Sequence, residues 1–383
     1  MRVCRVCILV VALLVGGCDD GSSTPSVPVM PMPVETGPAY ELDLQPIAPL
    51  TPNRLTHVVV DAQGNVGWLQ EGEGADDSMF MMGEGQIPRM TQLTARRVAE
   101  TIGGKGATGK MHSIAAARNG EVYFYFLGGK GRTMLAALGM YSPKTDKIRI
   151  LTNADGLMNA SGFGKSLVLA RASLYTNNDN LWLWLRHTDS SALFRLRHTD
   201  IPPAGPLNLG SSLRSVTIAD EKIELTKDDY LFAPGELENL LFIDLEESEL
   251  RQIDGLGRVS TLRSLIGLPV ALSAPLREKD GRIILFAGDA PLMQAQHIGQ
   301  VGVQTIRLNV PYPAIVMIPP GSTSTARGIG RDKFSIYSDF KLQAMRIREL
   351  VPDPRGGGWI AYDLSSGELL RMKMRQRPGI PAK

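Results

Sequence analysis

From residue 40 onward the chain repeats one pattern: an apolar run, a polar turn containing Gly or Asn, and a second apolar or aromatic run. It reads HVVVDAQGNVGWL from His57, SIAAARNGEVYFYF from Ser113 and LYTNNDNLWLWL from Leu174. It returns as LFAPGELENLLFIDL from Leu231, APLREKDGRIILF from Ala274 and LVPDPRGGGWIAYDL from Leu350. Alternation with short length and turn punctuation predicts strands rather than helices, and each copy reads as a hairpin. The turn-end positions Gly64, Gly120, Asn180, Asn239, Gly281 and Gly358 lie 56, 60, 59, 42 and 77 residues apart. The intervals leave room for two further strands per copy. Examples are Thr133–Tyr141 with Lys147–Leu151, and Leu369–Met374 after the turn at Ser365 to Glu368. Two stretches, Met90–Ile102 and Ser260–Leu265, read as helical exceptions.

Six units, each a four-stranded meander, are the signature of a β-propeller, whose blades bury their open faces only against one another. The predicted fold class is therefore all-β, a six-bladed propeller over residues 40–383. The turn-and-aromatic pattern resembles the NHL, TolB-type and related six-bladed propellers. A pair of β-sandwiches with evenly spaced hairpins is the competing architecture. The 77-residue interval leaves room for a degenerate extra copy. Trp68, Trp182, Trp184 and Trp359 fall in or beside the second strand of their copies, with Tyr123, Phe242 and Phe286 in similar places. Recurrence with the strand period assigns most of them to the wedge between blades rather than to a ligand platform.

The N-terminus carries a different signal. Arg2 and Arg5 precede an apolar run, Ile8 to Val15, and Leu14-Val15-Gly16-Gly17-Cys18 closes it. A basic start, a short apolar core and small residues before a cut define a secretory signal. The run is too short for the roughly 20 residues that cross a bilayer, which disfavours an uncleaved anchor. The motif resembles the lipobox of bacterial lipoproteins, with Gly16 where Ala, Ser or Thr is usual. The resemblance implies a signal peptide over 1–17, with Cys18 as the mature N-terminus carrying the acyl chains, palmitate among them. Residues 18–39, rich in Pro, Ser and Thr, form an extended spacer. The expected location is the bacterial cell envelope, the protein held on a membrane by its lipid. In enteric bacteria Asp19 and Asp20 resemble an inner-membrane retention signal; which membrane applies here stays open.

Charge narrows the partners. Removing Arg2 and Arg5 from 41 basic residues leaves 39 against 39 acidic ones, so the mature chain is near neutral. No Lys/Arg cluster suits phosphate neutralisation, and nucleic acid is not expected as a partner. Cys4 and Cys7 leave with the signal, and acylation consumes Cys18. No thiol then remains for a disulfide, a thiolate metal site or a nucleophile.

The candidate chemistry is sparse. Gly104 to Lys110 matches seven positions of a P-loop, but Met111 stands where the Mg²⁺-binding hydroxyl belongs, and a helix precedes the loop while a strand follows. That order is reversed from a nucleotide site, so no nucleotide is expected; Gly128 to Gly131 is a second loop of this kind. LRHTD occurs at Leu185–Asp189 and at Leu196–Asp200. His187 and His198 with Asp189 and Asp200 could ligate a metal, yet paired strands would put the two copies at opposite ends of a hairpin. Propeller lyases, which the chain faintly resembles, use histidines and a divalent metal at the channel mouth. His112 and His297 are the best positions for that role, although a solvated or core-capping histidine is the simpler reading. Glu236, Glu238, Asp244, Glu246, Glu247 and Glu249 read as a solvated face rather than a paired-carboxylate site. The segment Val310 to Asp332 breaks the repeat and is the candidate recognition loop, with Tyr312, Arg327 and Arg331 as binding residues. No catalytic residue, metal or cofactor is expected. The function read from these features is binding or scaffolding at the envelope, toward an envelope protein or a small ligand. A metal-assisted lyase or hydrolase in the channel is the alternative, and a structural envelope protein a third reading.

Overall fold

In a computed structural model the described residues are 40–49 and 55–376. Breaks fall at 73–75, 118, 162–170, 178–179, 206–212, 220–222, 227–229, 236–237, 266–272, 279, 288–296, 300–301, 305–313, 321–323, 326–327, 330–334, 338–341, 343 and 356–357. Cys18, Tyr312, Arg327 and Arg331 lie outside the described residues, as do the signal and spacer.

Twenty-four strands form six antiparallel four-stranded sheets. Blade I holds β2 (Leu55–Val60), β3 (Val66–Gln70), β4 (Ser78–Met82) and β5 (Arg89–Thr94). Blade II holds β6 (Thr108–Ala116), β7 (Val122–Lys130), β8 (Thr133–Ser142) and β9 (Lys147–Asn153). Blade III has β10 (Arg171–Thr176), β11 (Asn180–His187), β12 (Ser190–Arg197) and β13 (Arg214–Ser215). Blade IV has β14 (Tyr230–Pro234), β15 (Leu240–Asp244), β16 (Glu249–Ile253) and β17 (Val259–Ser264). Blade V runs β18 (Leu276–Arg277), β19 (Ile283–Ala287), β22 (Ala314–Ile318) and β25 (Ser335–Tyr337). Small hairpins β20 (His297–Gly299) with β21 (Gly302–Gln304), and β23 (Ser324–Thr325) with β24 (Gly328–Ile329), fall inside it. Blade VI joins both ends of the chain: β26 (Ile347–Asp353), β27 (Gly358–Asp363) and β28 (Glu368–Gln376) are completed by β1 (Tyr40–Pro49). The sheets are arranged as a six-bladed β-propeller, closed by the first strand on the last blade.

The first strands β26, β2, β6, β10 and β14 lie beside one another in that order around the centre. All six hairpins read from sequence are the first two strands of a blade. Five of their turns share a device: a side-chain oxygen of Asp61, Asn119, Asn177, Asp280 or Asp353 accepts from a backbone N–H two or three residues on, at 2.8–3.1 Å. Gly64, Gly120 and Gly281 take φ of 77, 82 and 82° there, a region that L side chains enter at a cost.

Each pair of neighbouring blades encloses one apolar cluster, six in all, and alternation along the second strands feeds them. In β11, Leu181, Leu183 and Leu185 pack toward blade II, whereas Trp182 and Trp184 pack toward blade IV. There Trp184 meets Phe232 edge-on with ring centroids 4.7 Å apart. The four tryptophans are 0–5% exposed, so they fill the inter-blade wedges as their spacing implied. Closure of the ring rests on the cluster that places Leu42 of β1 with Trp359, Met372 and residues of blade V.

Three expectations change. Residues 89–94 are the outer strand β5, and only Ala95–Gly103 forms helix α1, capped by the Thr94 hydroxyl accepting from Arg97 N at 3.1 Å. Val259–Ser264 is the outer strand β17; its polar, half-exposed positions mimic a short amphipathic helix. The apolar half of the 310–332 segment is β22, buried throughout as the third strand of blade V. The middle of that segment is therefore sheet rather than loop, while Tyr312, Arg327 and Arg331 lie outside the described residues. The long interval to the last copy comes from residues 288–313 inserted between β19 and β22, not from an extra blade.

Candidate functional site

The meander order gives the ring two unlike faces. On one, the turn face, lie the connections between first and second strands and between third and fourth strands. On the other, the crossover face, lie the second-to-third connections and the blade-to-blade crossovers, α1 and helix α2 (Ala154–Ser161) among them. Long connections held on a rigid scaffold are where binding groups gather.

On the crossover face, where blades I and II meet the centre, the described residues build a polar site. Lys110, near the start of β6, carries an ammonium 2.8 Å from the carboxylate of Glu71, just past the end of β3. The two side chains are about half exposed, 47% and 43%. Glu71 raises the Lys110 pKa above its ordinary value, chiefly by accepting that hydrogen bond. Beneath the pair, Asp77 is buried. One of its oxygens accepts from Met111 N at 2.9 Å, and the other has no hydrogen-bond partner among the described residues. Burial pushes its carboxyl up to about 6, against smaller opposing effects of the Met111 N–H and Lys110. The carbonyl of Asp77 receives Ala95 N at 2.8 Å, tying the same loop to the start of α1.

Two histidines join this site. A β-bulge places His112 between Met111 and Ser113, which pair with Phe126 and Tyr125. His57 Nε2 lies 2.8 Å from the His112 carbonyl oxygen. A carbonyl only accepts, so His57 carries its proton on Nε2 and donates across the blade boundary. Burial, and then Lys110, lower the His112 pKa, so its ring is neutral at pH 7. His112 therefore sits near the start of β6, the first strand of blade II. His297 lies apart, at the start of β20.

The duplicated LRHTD segments separate as expected. His187 pairs across the β11–β12 turn with Ser190 on the crossover face, whereas His198 follows the far end of β12 on the turn face. There His198 Nδ1 is 2.9 Å from the Tyr123 hydroxyl, the rings stack, and Nε2 is 3.2 Å from the Asn177 carbonyl. That histidine is built into the blade II–III boundary. No group of three or more His, Cys, Asp or Glu side chains among the described residues is arranged to hold a metal ion. The acidic run also divides. Glu238 bridges Arg195 and Arg197 on the turn face at 2.6 and 2.5 Å, whereas the buried Asp244 and Glu249 hold Arg251 at 3.6 and 2.7 Å at the other end of blade IV. These residues do not form one solvated face.

Glu71, Asp77 and Lys110 were not singled out in the sequence. In the sequence pattern Lys110 is only the end of a glycine-rich loop, and nothing local pairs it with a residue 39 positions earlier. Chemically, the site offers a half-exposed ammonium whose counter-ion can be exchanged, beside a buried carboxyl that titrates near pH 6.

The comparisons with known proteins concern the fold. No protein-family model matches the sequence, nor does any curated protein. Virginiamycin B lyase from Staphylococcus aureus superposes with a TM-score of 0.44 at 11% identity, over 87% of this chain and 99% of that one. A luciferin-regenerating enzyme gives 0.46 at 10% identity, over 87% and 95%. A TolB-like protein from Agrobacterium tumefaciens gives 0.33 at 11% identity, over 56% and 68%. The likeness is one of architecture alone. It leaves the function to the residues themselves.

Proposed function

We propose that this chain is a binding module of the bacterial cell envelope, anchored through acylated Cys18, that engages its partner with the crossover face at the blade I–II mouth. The observation that carries the reading is the Lys110–Glu71 pair, half exposed and fixed above buried Asp77 among the blade-to-blade connections. A partner presenting a carboxylate or a hydroxyl cluster replaces Glu71 at the ammonium, a charge-assisted contact on a preorganised base. The entry point of the chain agrees with this orientation, because Tyr40 begins β1 on the turn face, opposite the site.

The test is crosslinking in intact cells, detergent extraction and mass spectrometry of what accompanies the tagged protein. Lys110→Glu and Cys18→Ala versions run in parallel, and an intact-mass measurement reads the acylation. The expected result is an acylated chain and a reproducible envelope partner lost with Lys110→Glu. A partner retained in full by that variant overturns the assignment of the site. A mature chain lacking the acyl mass overturns the anchor.

A further inference from the structure

We propose that the turn face rests on the membrane surface, seated by Ile87 and Met90 in blade I and by Leu256 in blade IV. This rests on the lipid-anchored reading above and adds to it which face meets lipid.

Among the described residues, the large hydrophobic side chains that stand exposed are Ile87, Met90 and Leu256, at 87, 61 and 73%. All belong to the same kind of place. Ile87 lies in the connection from β4 to β5, Met90 is the second residue of β5, and Leu256 lies in the connection from β16 to β17. These are third-to-fourth-strand corners, which the meander puts on the turn face. Blades I and IV stand across the ring from each other, so the apolar tips form two separated feet instead of one patch. Every residue from Glu84 to Met90 is exposed, so the first foot projects clear of its blade.

The chain outside the described residues reaches the ring on this same face. β1 starts at Tyr40, opposite Gln376, the end of β28 farthest from the β27–β28 turn. The 22 residues from Cys18 to Ala39 would span about 70 Å as a polyproline II spacer. The strand they lead into, β1, belongs to blade VI, the neighbour of blade I.

The charges around the feet suit anionic headgroups. Glu84 and Asp254, the acidic residues of the two corners, are already held by Arg355 and Arg258 at 2.8 and 2.6 Å. Arg89 and Lys144 are exposed and line, with Gln86, Pro143 and Asp61, a cleft of about 340 Å³ beside Ile87; the Asp61 carboxylate there is taken up by Gln63 N, Asn65 N and Asn65 Nδ2. Apolar tips flanked by basic side chains favour the interface, where hydrocarbon and anionic headgroups meet.

Single-cysteine labelling tests this on the full lipidated chain, because Cys4 and Cys7 leave with the signal and the lipid blocks Cys18. Ile87→Cys, Leu256→Cys and, as the crossover-face control, Lys105→Cys carry an environment-sensitive fluorophore. Each is mixed with vesicles of neutral and anionic phospholipid. The expected result is a blue shift at positions 87 and 256 and none at 105, reduced when high salt screens the anionic lipid. Identical spectra at all three positions in protein that floats with the vesicles overturn the seat and leave the anchor standing. Protein that neither floats nor carries the acyl mass overturns the anchor and the seat together. All three positions are exposed, so the substitutions leave the core untouched.

Discussion

Asp77 gives the sharpest test of the site, because its burial carries a calculable cost. Its carboxyl titrates near 6 in the folded chain against 3.8 as an ordinary Asp. A folded pKa raised above the unfolded one means that the native state binds the proton more tightly. The group therefore costs stability at neutral pH, and the cost is relieved as pH falls through 6 toward 3.8. The difference corresponds to about 3 kcal/mol when fully expressed, of which about 2 kcal/mol is recovered by pH 4.5. Asp77→Asn removes the titration and keeps an oxygen for Met111 N, but its amide inherits the place of the orphaned oxygen, at a cost of about 1–3 kcal/mol. That penalty is the same at every pH. The informative quantity is therefore the change in the variant-minus-wild-type difference between pH 7.5 and 4.5, measured by urea denaturation. It should fall by about 2 kcal/mol in the variant's disfavour as the solution is acidified. A difference that is flat with pH would show that Asp77 is not buried as an anion at neutral pH, and the site would lose its titrating member.

Other substitutions probe the ring. Leu42→Ala should cost about 2–5 kcal/mol and make the N-terminal strand the first site of limited proteolysis, because Leu42 is 1% exposed in the cluster that closes blade VI on blade V; unchanged proteolysis would refute that role. At Gly139 an added methyl would lie about 2.1 Å from the ring of fully buried Phe124, so Gly139→Ala should lower stability by about 1–3 kcal/mol. Phe124→Leu in the same chain should then cost less than it does alone, and simple additivity in denaturation midpoints would contradict the packing. Glu238→Ala leaves the buried guanidinium of Arg195 without the carboxylate 2.6 Å away, and should destabilise more than Glu238→Ala combined with Arg195→Met. Equal midpoints for the two would refute the pairing.

The blades were readable in the sequence because their cause is local. A turn such as Asp61 to Asn65 satisfies its own backbone within five residues, and the flanking strands alternate with the period that the inter-blade clusters impose. The outer strands were read less well. In β5 and β17 the solvent side is polar and one neighbour is missing, so Arg89, Met90 and Gln92 stand exposed and the apolar signal thins to a few positions that fit a helix as well as a strand. The 310–332 segment failed for the opposite reason. A five-residue run that is buried on both faces has no alternation to mark it as a strand, and long insertions on either side removed the spacing cue.

The mouth site was hidden by a feature of the architecture itself. In a radial meander the first strands of neighbouring blades touch across some 50 residues of sequence, so a polar pair on that boundary has no local spacing to recognise. His57 meets the carbonyl of His112, 55 residues away, and Ser113 Oγ accepts from Leu174 N, 61 residues away. The repeat length therefore sets which residues meet at the centre: near the start of blade I's first strand comes His57, and one repeat later comes the glycine-rich lead into β6 with Lys110 and His112. Seen this way, the seven residues from Gly104 to Lys110 that imitate a phosphate loop have a structural reason. Gly104 and Gly106 take φ of 74 and 86° to turn the chain from α1 into β6, and the Lys110 that follows is set down beside the loop from Glu71 to Asp77. The glycines serve the turn, and the lysine serves the site.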